Sequence, residues 1–327
     1  MAGGNVGRDR RGRRGGGIPV REGEAKGGGV KVGLFPGQGI PAGKVLEALA
    51  EFPSEVEVAS KTLGYDLHRR VEVAARGRGT VLPTSVAQPA IFLCGVLGFE
   101  KRQSGAEFEY LAGHSLGEYT ALVAAGAMSF DDGLQAVAAR GEAMEAAARI
   151  NPGGMAAVMG LPSDEVRELA QSCRVAIAND NAPDQVVLSG SEEGLAKTAK
   201  VVRDKGGRAV LLEVSGAFHT DAMAPAEKTL ADALQDIEIR MPQIPVVSNV
   251  TARPYQGVSE IRTLLVKQLV CPVRFRESLL WLYDKGVRDF VDVGPGSVVA
   301  GLAQRTFRFA AGAEGKGAGE KGVSARA

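Results

Sequence analysis

Short apolar runs that end at glycine, alternating with helical patterns, organise this chain. The first run, Val30–Phe35, stops at Pro36-Gly37-Gln38-Gly39, the punctuation of a strand handing over to a helix. Helical periodicity follows over 44–51, 54–63, Leu67–Ala75 and 89–102. A second strand at 109–112 runs into Gly113-His114-Ser115-Leu116-Gly117, with helices predicted over 118–125 and 132–148.

The rhythm changes between 153 and 214. Strands are predicted at 155–159, 175–178, 185–189 and 208–214, with a polar turn at 179–184. Helices are predicted at Ser163–Cys173, with Ser163 as N-cap and Val166, Leu169 and Ala170 on one face, and at 192–205. The order βαββαβ is that of a ferredoxin-like unit, which can bury its own core. Longer helices then return at 221–234, 258–269 and 275–285, and strands at 245–249 and 289–293 are expected to rejoin the first sheet. Gly294-Pro295-Gly296 ends the last strand, and a final helix begins near Val298. The expected organisation is an α/β core from 30–152 and 215–309, with 153–214 as an inserted subdomain.

Both ends read differently. Residues 1–29 are rich in Gly and Arg, with Arg10-Arg11-Gly12-Arg13-Arg14. An RNA-binding or targeting arm is one reading. A disordered tail, or sequence upstream of the real start, is preferred, because no continuous apolar stretch forms a secretory signal and the first serine, Ser54, comes too late for a Ser-rich transit peptide. Residues 310–327 are Gly-, Lys- and Ala-rich without apolar periodicity and are also expected to be disordered.

Composition narrows the partners. Of 327 residues, 45% are hydrophobic and 24% charged, so the chain is ordinary globular protein, and a net charge of +1 gives no reason to expect nucleic acid. The most apolar run, near 90–99, is too short to span a bilayer, so no membrane partner is expected. Cys94, Cys173 and Cys271 are scattered, with no metal-ligand spacing, which suits a reducing compartment. A cytoplasmic protein is expected.

The candidate chemistry starts at Ser115. Gly113-His114-Ser115-Leu116-Gly117 fits G-x-S-x-G, in which a strand turns sharply into a helix with the nucleophile at a strained apex. The alternative is a serine that merely caps a helix. A serine nucleophile needs a base, and the chain has three histidines. His68 lies among Arg69, Arg70 and Glu72 on a surface-like helix. His114 adjoins the serine, and neighbours at an elbow point apart, so it is expected to pack under the turn. His219, in Ser215-Gly216-Ala217-Phe218-His219-Thr220, is the preferred base, against a structural, hydrogen-bonded histidine.

Five segments together carry a family resemblance. They are Phe35-Pro36-Gly37-Gln38-Gly39, Gly113-His114-Ser115-Leu116-Gly117-Glu118-Tyr119, Arg140-Gly141 with Met144, Gly216-Ala217-Phe218-His219, and Gln268-Leu269 with Pro272-Val273. In this order the chain resembles the malonyl-CoA:acyl-carrier-protein transacylases of fatty-acid synthesis, and also the acyltransferase domains of polyketide synthases. The resemblance runs from about Val32 to Leu302. It implies an α/β-hydrolase-like core carrying a ferredoxin-like subdomain, and a malonyl group passed from malonyl-CoA to acyl carrier protein, with no cofactor. Ser115 would be acylated and His219 would act as base, oriented by a backbone carbonyl at Gln268. Backbone N–H groups of Gln38 and Leu116 would form the oxyanion hole. Arg140 would bind the malonyl carboxylate, and Phe218 and His114 would join Gln268 around the substrate. Without the resemblance, Arg140 reads as a surface arginine near Glu142 and Glu145. One departure stands out: the family continues Gly-Gln-Gly with Ser-Gln and a Gly-Met segment, whereas here Ile40-Pro41-Ala42-Gly43 follows and the stretch to Ser54 is shorter.

Three rival functions share parts of this pattern. A serine thioesterase or hydrolase has the elbow, but places an acidic partner and then its histidine last, and gives Arg140 no purpose. A non-catalytic carrier-binding protein does not need Ser115, His219, Arg140 and Gln268 together. A polyketide-pathway acyltransferase keeps the chemistry and changes the pathway.

Overall fold

A computed structural model describes residues 30–77, 81–103 and 108–320; the tail expected at 1–29 and the stretch 321–327 lie outside the described residues. The body opens with β1 (Val30–Phe35), α1 (Ala42–Leu49), α2 (Pro53–Leu63), α3 (Leu67–Ala75) and α4 (Thr84–Gln103). There follow β2 (Tyr110–Gly113), α5 (Gly117–Ala124) and α6 (Phe130–Ile150). A second unit comprises β3 (Gly154–Met159), α7 (Ser163–Cys173), β4 (Ala176–Ala182), β5 (Gln185–Gly190), α8 (Glu192–Asp204) and β6 (Arg208–Leu211). The chain returns through a 3-10 turn at Asp221–Met223 to α9 (Ala224–Gln235), β7 (Val246–Val247), α10 (Val258–Lys267), α11 (Phe275–Asp284), β8 (Val287–Asp292) and α12 (Val298–Glu320).

Two four-stranded sheets result. The first, in the order β7-β2-β1-β8, is parallel throughout. Its central strand β1 is apolar because both faces are covered, as in parallel sheets generally. Side chains alternate: Phe35 joins the large core under α4, α5 and α6, while Val32 and Leu34 pack with Phe275, Leu279 and Leu302 of α11 and α12. The late strands β7 and β8 do rejoin this sheet, as their sequence suggested.

The second sheet, β4-β5-β3-β6, is antiparallel. One face is covered by α7 and α8 through Ala156, Val158, Leu188, Val166, Leu169 and Val202. On the other face Met155, Ala157 and Val187 belong to the core of the body. The unit therefore has two packed faces, and the seam between it and the body is where the site forms. Among the described residues no helix is long and apolar enough to cross a membrane.

Three expectations are corrected. The polar stretch 179–184 is not all turn: β4 runs through Ala182, leaving Pro183 and Asp184 to turn the hairpin. Its polar residues face partners, not water. Asp180 donates its N–H to the Val273 carbonyl at 2.9 Å and accepts Arg276 at 2.8 Å and Arg167 at 3.2 Å. Ser163 is not an N-cap, since Pro162 holds that position and the Ser163 hydroxyl donates to the Pro183 carbonyl at 3.4 Å. Lastly, the tail expected from 310 is helical to Glu320. The helix is carried past 310 from a packed turn, where Ala310 still sits on the apolar cluster of Phe307, although the glycines at 312, 315, 317 and 319 are poor helix formers.

The Asp180 contacts tie the second sheet to α11. Asp180→Ala removes a partly buried carboxylate and strands Arg276, whose side chain is 23% exposed. The expected cost is about 1–3 kcal/mol, read as a lower midpoint in denaturant melts with an unchanged slope.

Candidate active site

The site is built on a turn that excludes side chains. β2 ends at Gly113 and α5 starts at Gly117, so four residues' advance reverses the chain around Ser115. A Cβ on Gly113 would lie 1.9 Å from the Gly117 carbonyl carbon, and one on Gly117 would lie 2.3 Å from the Phe35 oxygen. Only glycine fits either position. Ser115 itself sits at φ +52°, a left-handed conformation that costs a non-glycine residue free energy. Asn249, just past β7, holds the turn from outside: its Oδ1 accepts the Ser115 N–H at 2.7 Å and its Nδ2 donates to the Gly113 carbonyl at 2.6 Å.

His219 comes from the loop after β6 and is also left-handed, at φ +60°. Its Nε2 lies 2.8 Å from the Ser115 hydroxyl oxygen, and its Nδ1 lies 2.8 Å from the Gln268 carbonyl. A carbonyl only accepts, so the proton sits on Nδ1 and Nε2 is free to accept from the hydroxyl. Burial, and then the Arg140 charge, push its pKa down to about 3. The imidazole is neutral at ordinary pH, the state a general base needs.

Arg140 lies in the middle of α6 and is fully buried. Its Nη2 donates to the Ser115 hydroxyl at 3.0 Å and to Gln268 Oε1 at 2.7 Å; its Nη1 donates to Gln88 Oε1 at 2.8 Å. Its Nε is buried without a partner. Among the described residues no carboxylate is within ion-pair distance, and burial lowers its pKa. The surface reading of this arginine is therefore excluded. α6 approaches α4 closely at Gly141, where a Cβ would meet Ser85 Cα and the Thr84 carbonyl at 3.0 Å. That approach brings Gln88 to the guanidinium.

Ser115 and His219 open into a cavity of about 350 Å³ at the seam between the two sheets. Gln38, His114, Met155, Val187 and Phe218 line it. His114 packs edge-on against Phe275 at 5.2 Å and bonds Asn181 Oδ1 through Nε2 at 2.7 Å, so it joins the elbow to the second sheet. His68 is exposed on α3, away from this cluster. Among the described residues, no protein acceptor bonds the N–H of Gln38 or Leu116. Ile40, in the segment that departs from the family pattern, is buried and walls the cavity with Val298 and Leu302. Among the described residues no cluster of His, Cys, Asp and Glu could hold a metal ion.

Of the eight residues that the resemblance assigns to the site, Gln38, His114, Ser115, Phe218 and His219 line this cavity, Arg140 and Gln268 bond to Ser115 behind it, and Leu116 follows Ser115 in the elbow with its side chain buried. Four others were missed. Gln88 and Glu118 are polar residues inside apolar helices, a pattern that signals burial with a partner. Asn249 and Asn181 end or cross strands, and nothing local in the sequence shows what they reach.

Residues 41–319 match the model of the acyl transferase domain. The chain is 37% identical over 286 residues to the malonyl CoA-acyl carrier protein transacylase of Bacillus subtilis, covering 84% of this chain and 90% of that protein. It is 40% identical over 309 residues to polyketide biosynthesis protein ThaF of Burkholderia thailandensis, covering 92% of this chain but only 26% of that longer protein. The solved malonyl CoA-acyl carrier protein transacylase of Coxiella burnetii superposes with a TM-score of 0.79 at 33% identity, covering 86% of this chain and 92% of that one. With the elbow serine hydrogen-bonded to both the histidine and the buried arginine, and with this breadth of similarity, the chain belongs to the malonyl CoA-acyl carrier protein transacylase family.

Proposed function

We propose that the chain transfers malonyl from malonyl-CoA to the phosphopantetheine thiol of acyl carrier protein, through an ester on Ser115, in fatty-acid synthesis. The observation that carries this reading is the fully buried guanidinium of Arg140, without an ion-pair partner among the described residues, lying 3.0 Å from the Ser115 hydroxyl. A buried cation without an anion is costly, and a carboxylated acyl group on Ser115 supplies the missing charge with a fork of two hydrogen bonds. A hydrolase of neutral esters has no use for it.

The steps use groups already in position. Ser115 Oγ attacks the thioester carbonyl while His219 Nε2 takes the hydroxyl proton. The tetrahedral oxyanion is met by the N–H groups of Gln38 and Leu116. Collapse breaks the C–S bond, and the proton on His219 leaves with the CoA thiol. The carrier thiol then attacks the ester, giving its proton to His219, which returns it to Ser115 as the new thioester forms. The Gln268 carbonyl keeps the imidazole oriented in both halves. His114 and Phe218 shape the space beside the acyl group. No cofactor takes part.

On this reading 30–152 and 215–309 form an α/β-hydrolase-like core and 153–214 a ferredoxin-like subdomain, supported by the parallel first sheet and the β4-β5-β3-β6 order of the second. The cysteines are free, as suits the cytoplasm we assign to it. A polyketide pathway is the second reading, favoured by the similarity to ThaF. The chemistry is common to both, so transfer rates to fatty-acid and polyketide carrier proteins separate them.

Four substitutions and one pH profile test the assignment. Ser115→Ala takes up no acyl mass from malonyl-CoA, and His219→Ala acylates at least ~10²-fold more slowly; labelling of the serine variant, or a larger loss in His68→Ala, reverses the roles. The depressed pKa of His219 predicts a base that stays neutral in mild acid. Acetylation of Ser115 by acetyl-CoA, a donor whose acyl group carries no charge, is therefore expected to change less than about twofold between pH 7 and pH 5. A histidine titrating near 6.5 would lose about 25-fold, and an acid limb there contradicts the reading. In competition assays, Arg140→Ala lowers malonyl transfer by ~10²-fold or more and keeps acetyl transfer. Phe218→Ser raises methylmalonyl over malonyl by about 10-fold, the worth of one methyl group in a pocket. Unchanged ratios remove the clamp or the steric role, respectively.

A further inference from the structure

α5 carries a carboxylate that these steps leave unused. Glu118 is 1% exposed on a helix otherwise nearly free of charge. Its Oε1 accepts the Tyr255 hydroxyl and the Asn249 N–H, the latter at 3.2 Å, and its Oε2 accepts Nε2 of Gln268. Among the described residues no lysine or arginine pairs with it. Burial pushes its pKa up to about 7 against the pull of these donors. Three donors converging on one buried carboxylate mark a position built for two acceptor oxygens.

What it serves is visible at Gln268. The amide of Gln268 lies between an anion and a cation. Its Nε2 donates to Glu118 and to the Ser115 carbonyl at 3.0 Å, while its Oε1 accepts Nη2 of Arg140 at 2.7 Å. The amide dipole is aligned with both charges. Turned over, it would set an NH2 against the guanidinium and an oxygen against both the carboxylate and the Ser115 carbonyl, unfavourable at every contact. The carboxylate thus selects the amide orientation, and the amide oxygen holds the same Nη2 that reaches the Ser115 hydroxyl. The backbone carbonyl of Gln268, which orients His219, is fixed by the chain and is indifferent to how the side-chain amide turns.

We propose that Glu118 is a positioning residue for acyl-group selection: through the Gln268 amide it holds the Arg140 guanidinium aimed at the acyl group on Ser115. The proposal rests on the reading of Arg140 as the carboxylate receptor. Its consequence is specific, because loss of Glu118 should impair recognition of the acyl carboxylate and spare the serine–histidine chemistry.

Glu118→Gln tests this with almost no change of volume, removing the charge and replacing one of the two acceptor oxygens by a donor. Acylation of Ser115 is followed by intact mass with malonyl-CoA and with acetyl-CoA, beside wild type and Arg140→Ala. The malonyl-to-acetyl rate ratio is expected to fall at least about tenfold in Glu118→Gln, the scale of one hydrogen bond to a charged group, with the acetyl rate within about threefold of wild type. An unchanged ratio, or equal loss with both donors, overturns the proposal. If Arg140→Ala lowers the ratio and Glu118→Gln does not, the Glu118 role alone fails; if Arg140→Ala leaves the ratio unchanged, the receptor reading beneath it fails. Should Glu118→Gln not fold, Tyr255→Phe decides: it removes one donor to the same carboxylate and keeps the ring. A fall of about threefold in the ratio supports the role, and no fall overturns it.

Discussion

The guanidinium of Arg140 is a full positive charge, fully buried, with no carboxylate of the described residues within ion-pair distance and Glu118 set off from it by the Gln268 amide. Neutral acceptors from three separate parts of the chain, Gln88, Gln268 and Ser115, share its hydrogen bonds. These bonds satisfy its geometry without cancelling its charge, and they leave Nε unpartnered. Much of the surrounding architecture follows from holding such a group in place. α4 and α6 must approach closely enough to bring Gln88 across, which Gly141 permits. The turn after α10 must present both ends of Gln268, its side chain to the arginine and its carbonyl to the histidine. The same charge helps keep His219 in the free-base form, at the expense of its intrinsic basicity.

The serine–histidine pair is fixed by constraints on the backbone. Both residues occupy left-handed conformations, and both are over-determined by their surroundings. Ser115 is wedged between two glycines that admit no side chain and is stapled by Asn249. His219 is bonded at both ring nitrogens. The partners lie 104 residues apart in sequence, and Gln268 lies 153 residues from the serine. The interposed β3–β6 unit does more than separate them. Its inward sheet face supplies Met155 and Val187 to the cavity wall, and its Asn181 holds His114 at the elbow.

How much of this the sequence disclosed depends on whether a signal was local. Val30–Phe35 was legible to the residue because an apolar run stops at Pro-Gly. The βαββαβ order was legible because strands and helices of ordinary length alternate with clear punctuation. β4 was cut short because Asn179, Asp180 and Asn181 resemble a turn; the arginines and the histidine that occupy them come from distant segments. Arg140 gave no sign of burial by composition, since Glu142 and Glu145 flank it, and only the family pattern marked it. Glu118 lay inside the most conspicuous motif of the chain and was passed over, because its meaning depends on Gln268 and Tyr255, over 130 residues away.

The central claim is that the buried cation receives the carboxylate of the acyl group. The most direct measurement is a crystal structure of the enzyme trapped as the Ser115 malonyl ester. The account predicts both carboxylate oxygens about 2.7–2.9 Å from guanidinium nitrogens of Arg140. A malonyl ester whose carboxylate points out along the cavity, with Arg140 still bonded only to Gln88 and Gln268, would contradict it.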